Sequence, residues 1–231
     1  MQCGREELRP YDPMSETPSE RLRITEIFHS LQGEARSVGW PTVFVRLTGC
    51  PLRCVWCDTE YSFHGGDWRE IGDIVAEVKK YKTRHVCVTG GEPLAQKRCL
   101  DLLRRLCDEG LDVSLETSGA LDVSQVDPRV SRVVDVKAPG SGESARNLWS
   151  NLDVLGEHDQ IKFVLADRAD YDWALDVLDR HELSARSEVL FSPVAGKLAP
   201  RDLADWIIAD GRQVRMQVQL HKLLWGNEPG K

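Results

Sequence analysis

The sequence predicts an α/β fold, an incomplete (β/α)6-type barrel of some six parallel strands, on three observations. Strand-like apolar segments take turns with segments of helical periodicity, the order expected of repeated βα units with right-handed crossovers. At 231 residues and 41% hydrophobic content the chain suits one large undivided domain. Its chemistry-bearing residues follow predicted strands, where such barrels place their active sites. A flat doubly wound sheet is the alternative architecture.

Residues 1–20 carry Pro10, Pro13 and Pro18 among acidic and polar residues without apolar periodicity. They read as a flexible extension ahead of a catalytic domain at 21–231. A short apolar segment at Ile24–Phe28 leads to Thr42–Leu47, whose β-branched and aromatic residues predict a strand ending just before Cys50. Ile71, Ile74, Val75 and Val78 share one helical face, and His85–Thr89 predicts a buried strand. Leu100, Leu103, Leu106 and Cys107 form a second helical stripe, followed by strands at Val113–Thr117 and Val133–Lys137. The junction at 118–131 is too short and proline-marked for a full helix. A short helix near Leu148–Leu155 precedes a strand at Ile161–Leu165, and a helix at Tyr171–Arg180 precedes one at Val189–Phe191. Pro200, suited to a first helical turn, opens a helix that runs to Asp210. Val214, Met216, Val218 and Leu220 then alternate with Arg215, Gln217 and Gln219, which is strand periodicity.

A formal charge of −7 argues against a nucleic-acid-binding surface, which would need a basic excess, and favours a small-molecule partner. No stretch approaches the run of about 20 apolar residues that spans a bilayer, and the first residues lack the apolar core expected of a secretory signal. A cytoplasmic location follows as an expectation. Seven cysteines, an odd number, do not read as a disulfide framework. Cys87, Cys99 and Cys107 lie in strand or helix patterns and predict small buried hydrophobes, while Cys3 falls in the extension.

The densest chemistry is Cys50-Pro-Leu-Arg-Cys54-Val-Trp-Cys57. Three thiolates at these spacings can hold three corners of an iron-sulfur cube and leave its fourth iron without a protein ligand. An open corner can chelate a small molecule and pass it an electron. Zinc competes for the same motif, because His64 could complete a Cys3His site. The second constellation is Val88-Thr-Gly-Gly-Glu-Pro93, where two glycines directly after a strand let backbone groups approach a bound molecule. An ordinary tight turn with Glu92 near a helix start is the plainer reading of that loop.

Together the two motifs strongly resemble the radical S-adenosylmethionine superfamily, whose cluster loop and Gly-Gly-Glu-Pro loop are matched residue for residue. That resemblance implies a 4Fe-4S cluster on Cys50, Cys54 and Cys57. S-adenosylmethionine would chelate the open iron and be cleaved reductively to a 5'-deoxyadenosyl radical. Trp56 matches the aromatic position near the adenine, and Gly91 matches the loop that holds the methionine amine.

A narrower resemblance covers most of residues 24–228 and points to the 7-carboxy-7-deazaguanine synthases, which contract a pterin ring on the route to queuosine. It rests on Phe28-His-Ser-Leu-Gln-Gly-Glu34, Phe44-Val-Arg46, Cys57-Asp58-Thr59, Glu116-Thr-Ser-Gly119, Asp135-Val-Lys137 and His221-Lys-Leu-Leu-Trp-Gly226. It implies substrate contacts from Leu31, Gln32, Gly33, Arg46 and Thr89, and a Mg²⁺ ligand in Thr59. It implies cosubstrate contacts from Trp56, Cys57, Asp58, Gly91, Asp135, Val136, Lys137, Ser192 and Pro193. The chemistry agrees: an amide such as Gln32 donates and accepts at a pterin edge, and the Arg46 fork suits a carboxylate. Mg²⁺ takes oxygen ligands and completes its shell with water or substrate oxygens. Plainer roles remain for each, a polar turn residue for Gln32, a surface arginine for Arg46, a cap for Thr59 and an ion pair for Asp135.

The resemblance further implies an external electron donor such as flavodoxin or ferredoxin, and a homodimer. Ala35 stands where many relatives have glycine, Ser192 where glutamine is frequent, and the tail Glu228–Lys231 does not align. Two other functions are weighed, a glycyl-radical activase, which leaves Gln32, Arg46 and Thr59 unexplained, and a zinc-binding interaction module.

Overall fold

Nine strands form a single sheet among the described residues, 20–226 with 228 and 230, of this computed structural model. They are β1 (Arg21–Leu31), β2 (Pro41–Leu47), β3 (Asp67–Glu70), β4 (His85–Gly90), β5 (Asp112–Thr117), β6 (Ser131–Asp135), β7 (Gln160–Leu165), β8 (Glu188–Pro193) and β9 (Arg215–Met216). Their spatial order is β3-β1-β2-β4-β5-β6-β7-β8-β9. Every neighbouring pair from β2 to β9 is parallel, while β1 runs antiparallel to both β2 and β3. The first nineteen residues, expected as an extension with Cys3 in it, lie outside the described residues, as do Asn227, Pro229 and Lys231 of the tail.

Helices α1 (Ile71–Val78), α2 (Cys99–Asp108), α3 (Arg168–Arg180) and α4 (Pro200–Asp210) lie in the β2–β4, β4–β5, β7–β8 and β8–β9 crossovers, and α5 (Leu220–Trp225) ends the chain's regular structure. Asp167 caps α3 by accepting from the Asp170 amide at 2.9 Å. Pro200 sits in the first turn of α4, and Gly211 ends that helix in a left-handed conformation. No helix among the described residues is long and apolar enough to cross a membrane.

Strand alternation sorts the side chains. Val43, Val45, Leu47, Val86, Val88, Leu115, Val134, Ile161, Phe163, Val189 and Phe191 face the helices and join them in one hydrophobic core. Each such buried side chain is worth about 1.5–3 kcal/mol, and the edge-to-face packing of Phe163 on Phe191 adds to it. The intervening positions, among them Arg46, Thr89, Glu116, Asp135 and Lys162, line the concave side. Residues after β1 close over that side: the Leu220 amide donates to Gly33 O, Ala35 N to Gln217 Oε1 and Arg36 N to Gln160 Oε1. The sheet therefore curls with a polar lumen, while β3 and β9 stay apart as open edges. The incomplete barrel was the sequence expectation.

Four elements differ from expectation. The apolar segment at Ile24–Phe28 is part of an eleven-residue antiparallel strand. β3 was unforeseen, because Asp67–Glu70 has no apolar alternation and is held by pairing with β1 alone. The segment near Leu148–Leu155 is a 3-10 helix at Trp149–Val154. The last strand keeps only Arg215–Met216, since the chain leaves the sheet to bond Gly33 and start α5 at Leu220.

Candidate active site

Beyond β2 the chain turns at Gly49 (φ +98°) into the irregular segment that carries the three cysteines. The Cys57 amide donates to Cys54 O at 3.2 Å and closes the tighter end of the motif. Val55 N donates to Ser141 O at 3.0 Å and Arg53 N to Glu143 Oε1, so the segment is tied to the connection after β6. The Arg53 guanidinium lies over the Phe63 ring, 4.3 Å from its centroid.

Cys50, Cys54 and Cys57 line a cavity of about 190 Å³ together with Arg46, Thr59, Thr89, Gly91, Glu116, Asp135, Lys137 and Lys162. Among the described residues no three Cys, His, Asp or Glu side chains converge on one ion position, and the exposed His64 is not on this wall. Three thiols around one cavity can each take one iron of a cube. Burial, first among the causes, pushes all three thiols above their ordinary range, so cluster loading releases protons.

β4 delivers Thr89 and the glycine pair to the same cavity. A Cβ on Gly90 would lie 2.4 Å from Leu47 O, and one on Gly91 would lie 2.3 Å from Gly49 O and 2.7 Å from Cys50 Cβ. Only glycines let this loop pack against the cysteine segment. Glu92 does not face the cavity. Its fully buried carboxylate accepts from Leu94 N at 2.9 Å, Thr117 Oγ1 at 2.9 Å and Ser118 N at 2.8 Å.

Asp135 and Lys137 leave the end of β6 with their side chains paired at 2.9 Å. Asp135 Oδ1 is buried and has no partner among the described residues, an open acceptor of the kind a bound ligand satisfies. Ser192 Oγ, at the end of β8, is in the same state. Ser192, Pro193 and Trp56 lie outside the cavity wall. The Val136 side chain belongs to the hydrophobic core, so only its backbone is left for a ligand, and its amide already donates to Lys162 O at 2.8 Å.

A second cavity of about 110 Å³ shares Arg46, Thr89 and Glu116 with the first and adds Leu31, Gln32, Gly33, Glu34, Asp58, Gln219 and His221. The two adjoin through those shared walls. Gln32 Nε2 donates to Glu116 Oε1 and Thr89 Oγ1 to Glu116 Oε2, each at 3.3 Å. Arg46 Nε donates to Glu26 Oε1 at 2.7 Å, and its guanidinium lies 5.7 Å from the Phe28 ring centroid. Lys162 pairs with Glu34, which also accepts from Gln219 Nε2 at 2.8 Å. Burial opposes both charges, but the pair wins, with Glu34 held below and Lys162 above its usual range. Burial raises Glu116, with Glu34 adding to the shift against the pull of Lys162, and burial lowers His221.

Asp58 opens on this second cavity, not the first. Its carboxylate accepts from Lys222 Nζ at 2.9 Å, Gln219 Nε2 at 3.2 Å and Thr59 Oγ1 at 2.8 Å. Partial burial raises its pKa, but these donors hold it well below the usual range.

The structure thus gathers Cys50, Cys54, Cys57, Thr59, Gly91, Asp135, Lys137, Arg46 and Thr89 around one cavity, and Leu31, Gln32, Gly33 and Asp58 around its neighbour. No role was assigned from sequence to Glu34, Glu116, Lys162, Gln219 or His221. Glu34, Glu116 and His221 stood inside the quoted motifs. Lys162, charged between Ile161 and Phe163 in a buried strand, was the remaining signal. A larger cavity of about 540 Å³ opens at the other ends of the strands, near Thr42, His85 and Asp112, remote from the thiols.

Residues 44–135 match the Radical SAM superfamily. The 7-carboxy-7-deazaguanine synthase of Koribacter versatilis is 44% identical over 222 residues, covering 90% of this chain and 98% of that protein. The one from Chlorobaculum tepidum is 44% identical over 207 residues, covering 88% and 94%. The crystal structure of QueE from Escherichia coli superposes with a TM-score of 0.73 at 26% identity, covering 87% of this chain and 95% of that one. Streptococcus suis SuiB bound to S-adenosylmethionine, 13% identical, has a TM-score of 0.52 over 74% of this chain and 45% of its own, a likeness of fold alone.

Proposed function

The chain belongs to the 7-carboxy-7-deazaguanine synthase family of radical S-adenosylmethionine enzymes, and from that membership we propose the work of its individual residues. The enzyme is a lyase that converts 6-carboxy-5,6,7,8-tetrahydropterin to 7-carboxy-7-deazaguanine with loss of ammonia, using a 4Fe-4S cluster, S-adenosylmethionine and Mg²⁺. The observation that carries the reading is the pair of adjoining cavities, one lined by the three thiols and the other by Gln32, Arg46 and Glu116.

When bound, the cluster and S-adenosylmethionine supply hydrogen-atom abstraction, here from C6 of the pterin. Cys50, Cys54 and Cys57 hold the cluster. Gly91 leaves room for the methionine end, and the open Oδ1 of Asp135, steadied by Lys137, accepts from the cosubstrate. The backbone of Val136, with Ser192 and Pro193, completes that side, and Trp56 borders the adenine.

Gln32 and Glu116 bond the flat edge of the pterin, with Leu31, Gly33 and Thr89 shaping its place. Burial raises the Glu116 pKa, and its two oxygens accept from Gln32 and Thr89, which sets the carboxyl group at that edge. Arg46 faces the substrate carboxylate, and Thr59 offers Mg²⁺ an oxygen while its own proton goes to Asp58. A carbon radical needs shelter from solvent, and the cavity walls would hold the target hydrogen in place. Flavodoxin or ferredoxin as electron donor, a homodimer and a cytoplasmic location belong to the same proposal.

Anaerobic incubation of reconstituted protein with the pterin, S-adenosylmethionine, Mg²⁺ and a reductant is expected to yield 7-carboxy-7-deazaguanine. Cosubstrate cleavage without that product would overturn the substrate assignment. Arg46→Lys is expected to raise KM for the pterin, and Thr59→Ala to weaken the response to added Mg²⁺.

A further inference from the structure

The ammonium of Lys197 lies 5.0 Å from the centroid of the Trp56 ring. Lys197 is exposed, makes no ion pair among the described residues, and belongs to the turn Val194–Lys197 between β8 and α4. Buried Val194 and Leu198 root that turn, and the Lys197 amide donates to Val194 O at 3.1 Å. Trp56 directly precedes Cys57. The cysteine segment is otherwise tied at Arg53 and Val55 to the connection after β6, and at Asp58 to Gln219 and Lys222. Between those ties, Trp56 is held to the β8 end of the barrel by Lys197.

We infer that Lys197 is a positioning residue for S-adenosylmethionine, clasping the turn after β8 to the cysteine segment through the face of Trp56. The inference rests on the function proposed above. Two stretches assigned to the cosubstrate, Trp56–Cys57 and Ser192–Pro193, are thereby kept in fixed relation before it arrives. Ser192 Oγ is buried without a partner, so this end of β8 is built to receive a polar group. A preset site spares the ordering cost of two loops on binding, which affects affinity and not the chemical step. Any cation that stacks on indole can serve, and guanidinium does so as well as ammonium.

The test compares Lys197→Met and Lys197→Arg with the parent holoenzyme, reconstituted anaerobically. Equilibrium dialysis of S-adenosylmethionine gives Kd, and steady-state turnover gives KM and kcat. Lys197→Met is expected to weaken binding about two- to five-fold, the scale of an exposed cation–π contact, with kcat unchanged. Lys197→Arg should restore parent affinity. Unchanged Kd in Lys197→Met overturns the inference, as does equal loss in both variants or a fall in kcat at constant Kd. If the parent itself fails to bind and cleave S-adenosylmethionine, the proposed function falls instead. Thermal unfolding of both variants is expected to match the parent, since the side chain is exposed.

Discussion

Glu92 and Ser118 tie two active-site loops together: the Glu92 carboxylate, fully buried, accepts from both the amide and the hydroxyl of Ser118. The Gly-Gly-Glu-Pro loop after β4 and the Glu-Thr-Ser-Gly loop after β5 are therefore one unit, with Glu92 as its anchor and Gly91 and Glu116 as its working edge. Glu92→Ala strands the donors of Leu94, Thr117 and Ser118. The expected loss is about 3 kcal/mol, because hydrogen bonds to a buried charge are worth about 1.5–3 kcal/mol each and the stranded groups stay dry. In a chain of this size that lowers Tm by about 6–12 °C. A change under 2 °C by calorimetry would show that the loops stand without this tie.

The lumen pair Glu34–Lys162 predicts a different pattern. Both side chains are mostly buried and nearly every partner is charged or an amide. Lys162→Met leaves the buried Glu34 carboxylate without its cation and beside Glu116, and the expected cost is about 3 kcal/mol or more. Adding Glu34→Gln should return a large part of that loss, since a neutral amide needs no counter-ion. A double-mutant cycle in urea unfolding measures it; additive losses would mean the two residues act separately.

Much of this arrangement was legible in the chain, and the reason lies in parallel strands. Val43, Val45 and Leu47, or Ile161 and Phe163, are apolar because helices cover that face, and α1 and α2 show their stripes because each buries one side. The lumen was harder to read. Thr89, Glu116, Asp135 and Lys162 are polar where periodicity alone would expect core, and motif resemblance, not patterning, singled out Thr89 and Asp135. β3 and the early end of β9 escaped notice since each depends on a distant partner, β1 for the first and Gly33 for the second. Lys162 and Glu34 lie 128 positions apart, and no local signal announces that they meet. Asp58 could be placed beside Cys57, but its attachment to Lys222 arises only when α5 folds back over the cysteine segment.

Ala35 occupies a left-handed conformation, φ +62°, a region that favours glycine. The Ala35 amide donates to Gln217 Oε1 at 2.8 Å, which holds the loop at that point. Ala35→Gly relieves about 1–2 kcal/mol of backbone strain. It also removes a buried methyl worth about 0.8 kcal/mol and adds freedom to the unfolded chain worth about 0.5–1 kcal/mol. These nearly cancel, so Tm is expected to move by less than about 2 °C. Ala35→Val puts a branched side chain in the same conformation and should cost clearly more; equal Tm values for the two variants would contradict the strain assignment.

The last prediction concerns acid, and it turns on Arg132 and Asp159 at the foot of the barrel. Asp159 accepts from Arg132 Nη2 at 2.6 Å, Arg132 Nε at 2.9 Å, Arg132 N at 2.9 Å and Gly156 N at 3.0 Å, with only 3% of its side chain exposed. Burial alone would raise its pKa, but the Arg132 guanidinium and the two amides outweigh burial and lower it. A carboxyl whose folded pKa lies below its unfolded value of about 3.9 contributes stability that is complete above that value. The contribution is lost as pH falls through the lower, folded pKa. Asp159→Asn removes the titration, so the parent should exceed the variant in stability by a constant margin between pH 5 and pH 7, on the order of 3 kcal/mol for a broken buried pair. Below about pH 4 the margin should shrink as the parent takes up its proton. Urea unfolding followed by far-ultraviolet circular dichroism across that range measures the gap. A margin that held constant down to pH 2, or widened as pH fell, would mean that Arg132 does not hold Asp159 ionised.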